Sequence, residues 1–155
     1  NPAPLTFQLV GVADARLMLP VAQALKALGI RHGMVVHGGD GLDEVTTTRE
    51  TQSLDVLRGT FESGCIRPED FGLVRAAAEE LVGGDVQQNA QIAREILSGK
   101  PSAKRDIVAL NAACAIYAAD RATSLHEALA KAEAALDAGR AQIVLEQAIE
   151  LSKRG

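Results

Sequence analysis

The alternation of apolar and polar positions in the first forty residues predicts a β-strand, an α-helix and a second β-strand. Two short apolar runs, 7–12 and 33–37, have the length and composition of buried strands. Between them, apolar residues recur at the spacing of one helix face: Leu17, Met18, Val21, Leu25 and Leu28. Pro20 is compatible with this helix only if it lies in the first turn. A unit of this kind pairs its two strands in parallel with a right-handed crossover.

The rest of the pattern predicts a β-hairpin followed by helices. Residues 45–57 and 60–66 are predicted to be extended, with a turn at Arg58-Gly59. A turn or short helix is predicted at 68–72, and helices at 75–81, 86–97, 103–119, 125–138 and 142–153. The predicted fold class is α/β: a parallel-strand sheet segment with a β-hairpin excursion and a C-terminal set of helices.

Composition narrows the class of protein. The chain has 155 residues, the size of one domain, and its 47% hydrophobic content is enough for a core. Its net charge of -4 argues against nucleic acid as a partner, because nucleic-acid binders usually present a basic face. Cys65 and Cys114 lack the spacing of a disulfide or zinc motif, so we expect reduced thiols in a cytoplasmic protein. No apolar run has the length of a membrane span.

The glycine-rich acidic segment at 37–44, His-Gly-Gly-Asp-Gly-Leu-Asp-Glu, is the best candidate for chemistry. It follows the second strand, and open α/β sheets bind ligands at the carboxyl ends of their strands. Asp43 and Glu44 are adjacent on a loop, where both carboxylates can face one ion. Mg²⁺ takes oxygen ligands, commonly one or two carboxylates together with substrate phosphates. The alternative is a solvated acidic turn whose glycines only serve the backbone.

Neighbouring polar residues are weaker candidates. The threonines at 46–48 have hydroxyls that can bind an anion, although their β-propensity explains them equally well. His37 ends the second strand, where we expect a packed or hydrogen-bonded residue rather than a catalyst. His32 and His126 are predicted to lie on the surface.

Two residues of the predicted helix at 103–119 are assigned structural roles. Asn111 lies among apolar residues, so we expect a hydrogen-bond partner for it. Cys114 lies on the apolar face and is predicted to be in the core. The sequence contains no Ser/His/Asp set, no zinc-type cluster and no paired catalytic acids, and no residue is assigned as catalytic.

Several motifs in this order resemble a known family. They are Val35-Val36-His37-Gly38, Gly41-Leu42-Asp43-Glu44-Val45, Pro68-Glu69-Asp70-Phe71-Gly72-Leu73, Gly84-Asp85 and Leu110-Asn111-Ala112-Ala113. With them, the whole chain resembles the C-terminal part of anthranilate phosphoribosyltransferase. The resemblance implies the large α/β domain of the nucleoside phosphorylase and phosphoribosyltransferase class.

The same resemblance implies a function. Enzymes of this family join the amino group of anthranilate to C1 of phosphoribosyl pyrophosphate and release pyrophosphate, a step of tryptophan biosynthesis. The two substrates would be the partners, and the complete protein would be a homodimer. Asp43 and Glu44 match the family's acidic pair that binds Mg²⁺ near the pyrophosphate.

The resemblance also implies that residues 1–155 are the C-terminal portion of the α/β domain. The helical domain, the glycine-rich phosphate loop and the residues that contact anthranilate would lie before Asn1. Since the sequence starts at Asn1 without a methionine, we expect a processed half or an excised domain. We expect no activity from this chain alone.

Two alternatives stay open. A non-catalytic relative of the same fold would bind nucleic acid or another polyanion through a basic groove, which the net charge of -4 disfavours. A nucleoside phosphorylase-like enzyme would share the architecture. The Gly41-Leu42-Asp43-Glu44 loop favours the phosphoribosyltransferase.

Overall fold

The fold is built on a four-stranded sheet, seen in a computed structural model that describes residues 5–154. The strands are β1 (Phe7–Gly11), β2 (His32–Gly38), β3 (Thr51–Leu57) and β4 (Thr60–Ile66), and they lie in that order. β1 and β2 are parallel, while β2–β3 and β3–β4 are antiparallel. The predicted α/β class with a hairpin excursion is confirmed. The predicted domain, 1–155, includes residues 1–4 and 155, which lie outside the described residues.

Helices surround the sheet and fill the second half of the chain. They are α1 (Met18–Ala27), α2 (Ala78–Leu81), α3 (Val86–Leu97), α4 (Ala103–Ala118), α5 (Leu125–Asp137) and α6 (Arg140–Ser152). Pro20 is the third residue of α1, so it occupies the first turn, as its position required. No helix within residues 5–154 is both long and apolar enough to cross a membrane.

The two faces of β2 carry the core. Val35 faces α1 and packs in a cluster with Met18, Ala22 and Leu25. Met34 and Val36 point to the other face and pack in a cluster with the α4 residues Leu110 and Cys114. This division follows from the alternation of side chains along a strand. The sheet is therefore held between α1 and α4, and loops at the end of β2 emerge between these layers.

Cys114 is fully buried, as predicted. Desolvation, with a smaller contribution from the charge of Asp55, raises the pKa of its thiol to about 12. The side chain is therefore a neutral part of the core.

The strand predicted at 45–57 begins six residues later than expected, since β3 starts at Thr51. Its ladder with β2 ends at the pair Gly38 and Thr51. The backbone amide of Thr46 donates to the Thr51 hydroxyl at 3.0 Å instead of joining a ladder. Residues 45–50 therefore belong to the loop after β2, which changes the setting of the acidic pair.

The helix predicted at 75–81 is also shorter, because α2 covers only Ala78–Leu81. The Ala76 amide donates to the carbonyl of Thr47 at 3.0 Å, so this backbone braces the same loop rather than extending a helix.

Asn111 of α4 fastens that loop to the helix layer. Its Oδ1 accepts from the Val45 amide at 2.9 Å, and its Nδ2 donates to the Val45 carbonyl at 2.6 Å. Nδ2 also donates to the Ile107 carbonyl at 2.9 Å. Val45 is fully buried, so without Asn111 both of its backbone polar groups would lack partners. The predicted structural hydrogen bond of Asn111 is confirmed.

The surface location predicted for His32 is wrong. Its side chain is buried, with Nδ1 at 2.6 Å from Asp120 Oδ1 and the ring edge-on to Tyr117 at 5.1 Å. Arg31 also donates to Asp120 at 2.6 Å. Asp120 follows α4, so it clamps the start of β2 to the end of that helix. The hydrogen bonds from His32 and Arg31 hold the pKa of Asp120 below its usual value.

We expect Asn111→Leu to lower the free energy of unfolding by about 3 kcal/mol, because two buried backbone groups lose their partners. The measurement is chemical denaturation of the protein that contains this chain. Gln147→Leu, on the exposed side of α6, is the control and should change little. An unchanged midpoint for Asn111→Leu would contradict the anchoring role.

We expect Asp120→Asn to lower the melting temperature at pH 7, with a difference from wild type that disappears in acid. The native pKa of Asp120 lies below the unfolded value of about 3.9. Its contribution is therefore complete above that pH and is lost as the pH falls through the native pKa. Asn also tolerates the positive φ of 54° at this position.

The matched control for this pH series is Asp70→Asn, since Asp70 forms no ion pair with any residue between 5 and 154. Equal pH dependence of the two variants would show that the Asp120 clamp does not contribute.

Candidate functional site

The candidate site lies on the loop between β2 and β3, where β2 ends beside β1. Gly11, the last residue of β1, touches the backbone of Asp43. A Cβ atom at Gly11 would fall 1.4 Å from the Asp43 carbonyl oxygen, so only glycine fits. The loop therefore folds back over the carboxyl end of β1. This is the edge of an α/β sheet where ligands usually bind.

His37 joins the two strand ends beneath the loop. Its Nδ1 lies 2.8 Å from the Val12 carbonyl oxygen. The Val12 amide donates in turn to the Val36 carbonyl at 2.9 Å. The predicted hydrogen-bonded role of His37 is confirmed, and the imidazole keeps the ends of β1 and β2 together.

The glycines build a tight turn. The Gly38 amide donates to the Leu42 carbonyl, and the Gly41 amide to the Gly38 carbonyl, each at 2.9 Å. Gly41 has a φ of 92°, a conformation that favours glycine. The loop leads into β3 rather than into a helix, so it differs from loops that cradle phosphates at a helix N-terminus. The groups of this loop that could bind a ligand are therefore its carboxylates.

Asp40 is the residue that sequence reasoning missed. Its Oδ2 accepts from the hydroxyls of Thr46 at 2.6 Å and Thr48 at 2.5 Å, and its Oδ1 accepts from the Leu42 amide at 3.2 Å. Desolvation opposes ionisation of Asp40, but these hydrogen bonds outweigh it and lower the pKa of the carboxyl. Aspartate commonly accepts a hydrogen bond from the backbone amide two residues later in a turn, as Asp40 does from Leu42. This signal was present in the sequence.

The threonines do not present their hydroxyls to an anion. Thr46 and Thr48 donate theirs to Asp40. Thr47 is fully buried, and its hydroxyl has no hydrogen-bond partner among the described residues. The three side chains belong to the frame of the loop, and the anion-binding interpretation of this segment is not supported.

Asp43 and Glu44 are both exposed on this frame. Partial burial, followed by the charges of Asp43 and Asp40, raises the pKa of Glu44. The loop therefore concentrates negative charge, which a bound cation would relieve. Within residues 5–154, no three His, Cys, Asp or Glu side chains form a metal-binding group. Two carboxylates suit Mg²⁺, which commonly takes one or two from the protein and leaves positions for water and phosphate.

A groove of about 650 Å³ runs beside the loop. Asp40, Glu44 and Thr48 line one side of it. Asp43, whose backbone lies against Gly11, is not part of the wall. The opposite side is mainly apolar and comes from α2, α3 and α4, with Lys104 as its basic group. A cleft of this size with a few polar groups is typical of a small-molecule site.

Comparison with known sequences identifies relatives. A family model described as "Glycosyl transferase family, a/b domain" matches residues 1–142. The anthranilate phosphoribosyltransferase of Rubrobacter xylanophilus is 46% identical over 155 residues, covering 99% of this chain and 45% of the relative. That of Mesorhizobium japonicum is 45% identical over 152 residues, with 98% and 45% covered. The chain spans less than half the length of these relatives.

Solved structures agree with this comparison. The crystal structure of anthranilate phosphoribosyltransferase from Thermus thermophilus has a TM-score of 0.86 and 38% identity, covering 95% of this chain and 43% of the other. The Saccharomyces cerevisiae enzyme in complex with PRPP and Mg has a TM-score of 0.84 over 94% of this chain and 43% of the other. At 24% identity, it shares the fold. The predicted resemblance is confirmed, and the chain belongs to the glycosyl transferase family, whose a/b-domain model it matches over residues 1–142.

Proposed function

We propose that this chain is part of an enzyme that joins anthranilate to phosphoribosyl pyrophosphate and releases pyrophosphate, and that Asp43 and Glu44 hold Mg²⁺ in it. The observation that carries the proposal is the exposed acidic pair at the carboxyl end of β2. It occurs in a chain that is 46% identical to an anthranilate phosphoribosyltransferase. The relative bound to PRPP and Mg has the same fold, which supports the choice of metal.

In this proposal the protein binds and orients groups rather than reacting with them. Negative charge builds up on pyrophosphate as its bond to C1 breaks, and a bound Mg²⁺ would neutralise that charge. Asp43 and Glu44 supply oxygen ligands for the ion. Gly11 packs against the backbone of Asp43, and Asn111 binds the backbone of Val45 just after the pair, which keeps the carboxylates in place. A direct displacement at C1 requires no protein nucleophile, and none is assigned.

The remaining parts of the site are proposed to lie elsewhere in the enzyme. The chain covers 45% of its relative from Rubrobacter xylanophilus. We propose that residues 1–155 form the C-terminal portion of the α/β domain. The N-terminal helical domain, the glycine-rich phosphate loop and the contacts to anthranilate would then come from the rest of a homodimeric, cytoplasmic enzyme. This chain alone would not turn over substrate.

The alternative of a polyanion-binding protein receives no support from the groove. Two carboxylates, Asp40 and Glu44, stand in its wall together with a single basic residue, Lys104. Without a bound cation, a polyanion would meet repulsion there. A nucleoside phosphorylase-like enzyme would act on a different substrate, so an assay for anthranilate consumption distinguishes it from the proposed enzyme.

We expect the double variant Asp43→Asn, Glu44→Gln to lower anthranilate consumption by about 100-fold or more at limiting Mg²⁺. Even the outer partners of metal ligands contribute about 10- to 100-fold, so loss of both charged ligands should cost at least as much. The assay follows anthranilate fluorescence in the complete enzyme with phosphoribosyl pyrophosphate, and circular dichroism checks folding.

The control is the double variant Glu146→Gln, Glu150→Gln on α6, which also removes two negative charges but at exposed positions away from the loop. Wild-type kinetics of the Asp43, Glu44 double variant at limiting Mg²⁺ would remove the metal assignment. Phosphorolysis of a nucleoside by the wild-type enzyme, without anthranilate consumption, would favour the phosphorylase alternative.

A further inference from the structure

A bridge of hydrogen bonds spans the acidic pair. Asp40 lies before the pair, and Thr46 and Thr48 lie after it. Both hydroxyls donate to the same oxygen, Oδ2 of Asp40, at 2.6 Å and 2.5 Å. The bridge therefore closes residues 40–48 into a ring of backbone that contains both candidate ligands.

At the Thr46 end, the bridge is buried and hydrogen-bonded to the sheet. Thr46 is fully buried, and its amide donates to the hydroxyl of Thr51, the first residue of β3, at 3.0 Å. Its own hydroxyl oxygen accepts from the Thr48 amide at 3.0 Å. Asp40 is thus connected through Thr46 to the sheet. By contrast, Asp43 and Glu44 are exposed, and no residue between 5 and 154 donates a hydrogen bond to their carboxylates.

Asp40 itself is already engaged. Its two oxygens accept three hydrogen bonds, from two hydroxyls and the Leu42 amide. A carboxylate with this many protein donors has little capacity left for a metal ion. Asp43 and Glu44 accept no such hydrogen bonds within the described residues, so their oxygens stay available to a metal ion.

We infer that Asp40 is a positioning residue, which holds Asp43 and Glu44 in place for a divalent cation through its bonds to Thr46 and Thr48. This inference rests on the proposed function of the acidic pair. A carboxylate pair on an unbraced loop would have to be ordered when the ion binds, and the bridge provides that order in advance.

Among the three threonines, Thr47 provides a matched control for a substitution of Thr46. Thr46 and Thr47 are neighbours and both are fully buried, but only the hydroxyl of Thr46 reaches Asp40. The Thr47 hydroxyl has no partner within the described part of the chain. Replacement by valine removes a hydroxyl at nearly constant shape in each case. The two variants therefore differ in the bridge and in the hydrogen bond that the Thr48 amide donates to the Thr46 hydroxyl.

The experiment is a titration of the complete enzyme with Mn²⁺ as the probe, in the presence of phosphoribosyl pyrophosphate, with free Mn²⁺ followed by electron paramagnetic resonance. We expect Thr46→Val to weaken Mn²⁺ binding by about 10-fold, the lower end for residues that orient metal ligands. Thr47→Val should bind as wild type does, and Thr46→Ser, which keeps the hydroxyl, should restore binding. In steady-state assays, Thr46→Val should raise the KM for Mg²⁺ by the same factor and leave kcat at saturating Mg²⁺ nearly unchanged.

Thr48→Val removes the second half of the bridge at a partly exposed position, so it repeats the test if Thr46→Val folds poorly. Equal Mn²⁺ binding by the Thr46, Thr47 and Thr48 valine variants would overturn the inference. Weaker binding in Asp40→Asn alone would also overturn it, because Asp40 would then be a ligand itself.

The double variant Asp43→Asn, Glu44→Gln separates this inference from the proposed function. If that variant loses Mn²⁺ binding while the threonine variants keep it, only the bridge is refuted. If it binds Mn²⁺ as tightly as wild type, the metal assignment fails, and the positioning role fails with it.

Discussion

Burial of the backbone at Val45 is the constraint on which the candidate site depends. The loop leaves the central strand and passes through the core without a neighbouring strand to satisfy its polar groups. Asn111 supplies both missing partners from α4, 66 residues further along the chain. An unpaired buried amide or carbonyl costs about 1–3 kcal/mol, so the loop would not keep this path without it. Asn111 thereby joins the helix layer and the candidate loop into one structure.

This arrangement separates the two tasks of the loop. Glycines at 38, 39 and 41, together with the threonines, form a tight and partly buried frame. Asp43 and Glu44 remain exposed on that frame, where they repel each other and attract a cation. An acidic loop with no frame would relieve the repulsion by spreading apart. The fold holds the charges together instead, and two carboxylates held in this way are the ligands proposed for a divalent ion.

Much of the architecture could be predicted because its signals are local. Three helices begin at a common N-cap residue, whose side chain accepts a hydrogen bond from a backbone amide in the first turn: Asp85, Ser102 and Ser124. The hairpin between β3 and β4 turns at Arg58 and Gly59, which both have positive φ. Asp43 and Glu44 were also found from sequence, since adjacent carboxylates after a buried strand form a visible pattern. Their proposed role as ligands came from chemistry and resemblance.

The sequence by itself determined the order of strands and helices and the position of the acidic pair, since spacing, caps and turn residues act over a few neighbours. Only the tertiary structure decided the burial of His32, which depends on Asp120 at a separation of 88 residues. It also decided that the segment 45–50 is a loop, because contacts to Asn111 and Thr51 replaced a strand ladder that its threonines would favour. The role inferred for Asp40 has the same origin. Hydrogen bonds across the folded turn, rather than the residue type alone, determine what a carboxylate can still bind.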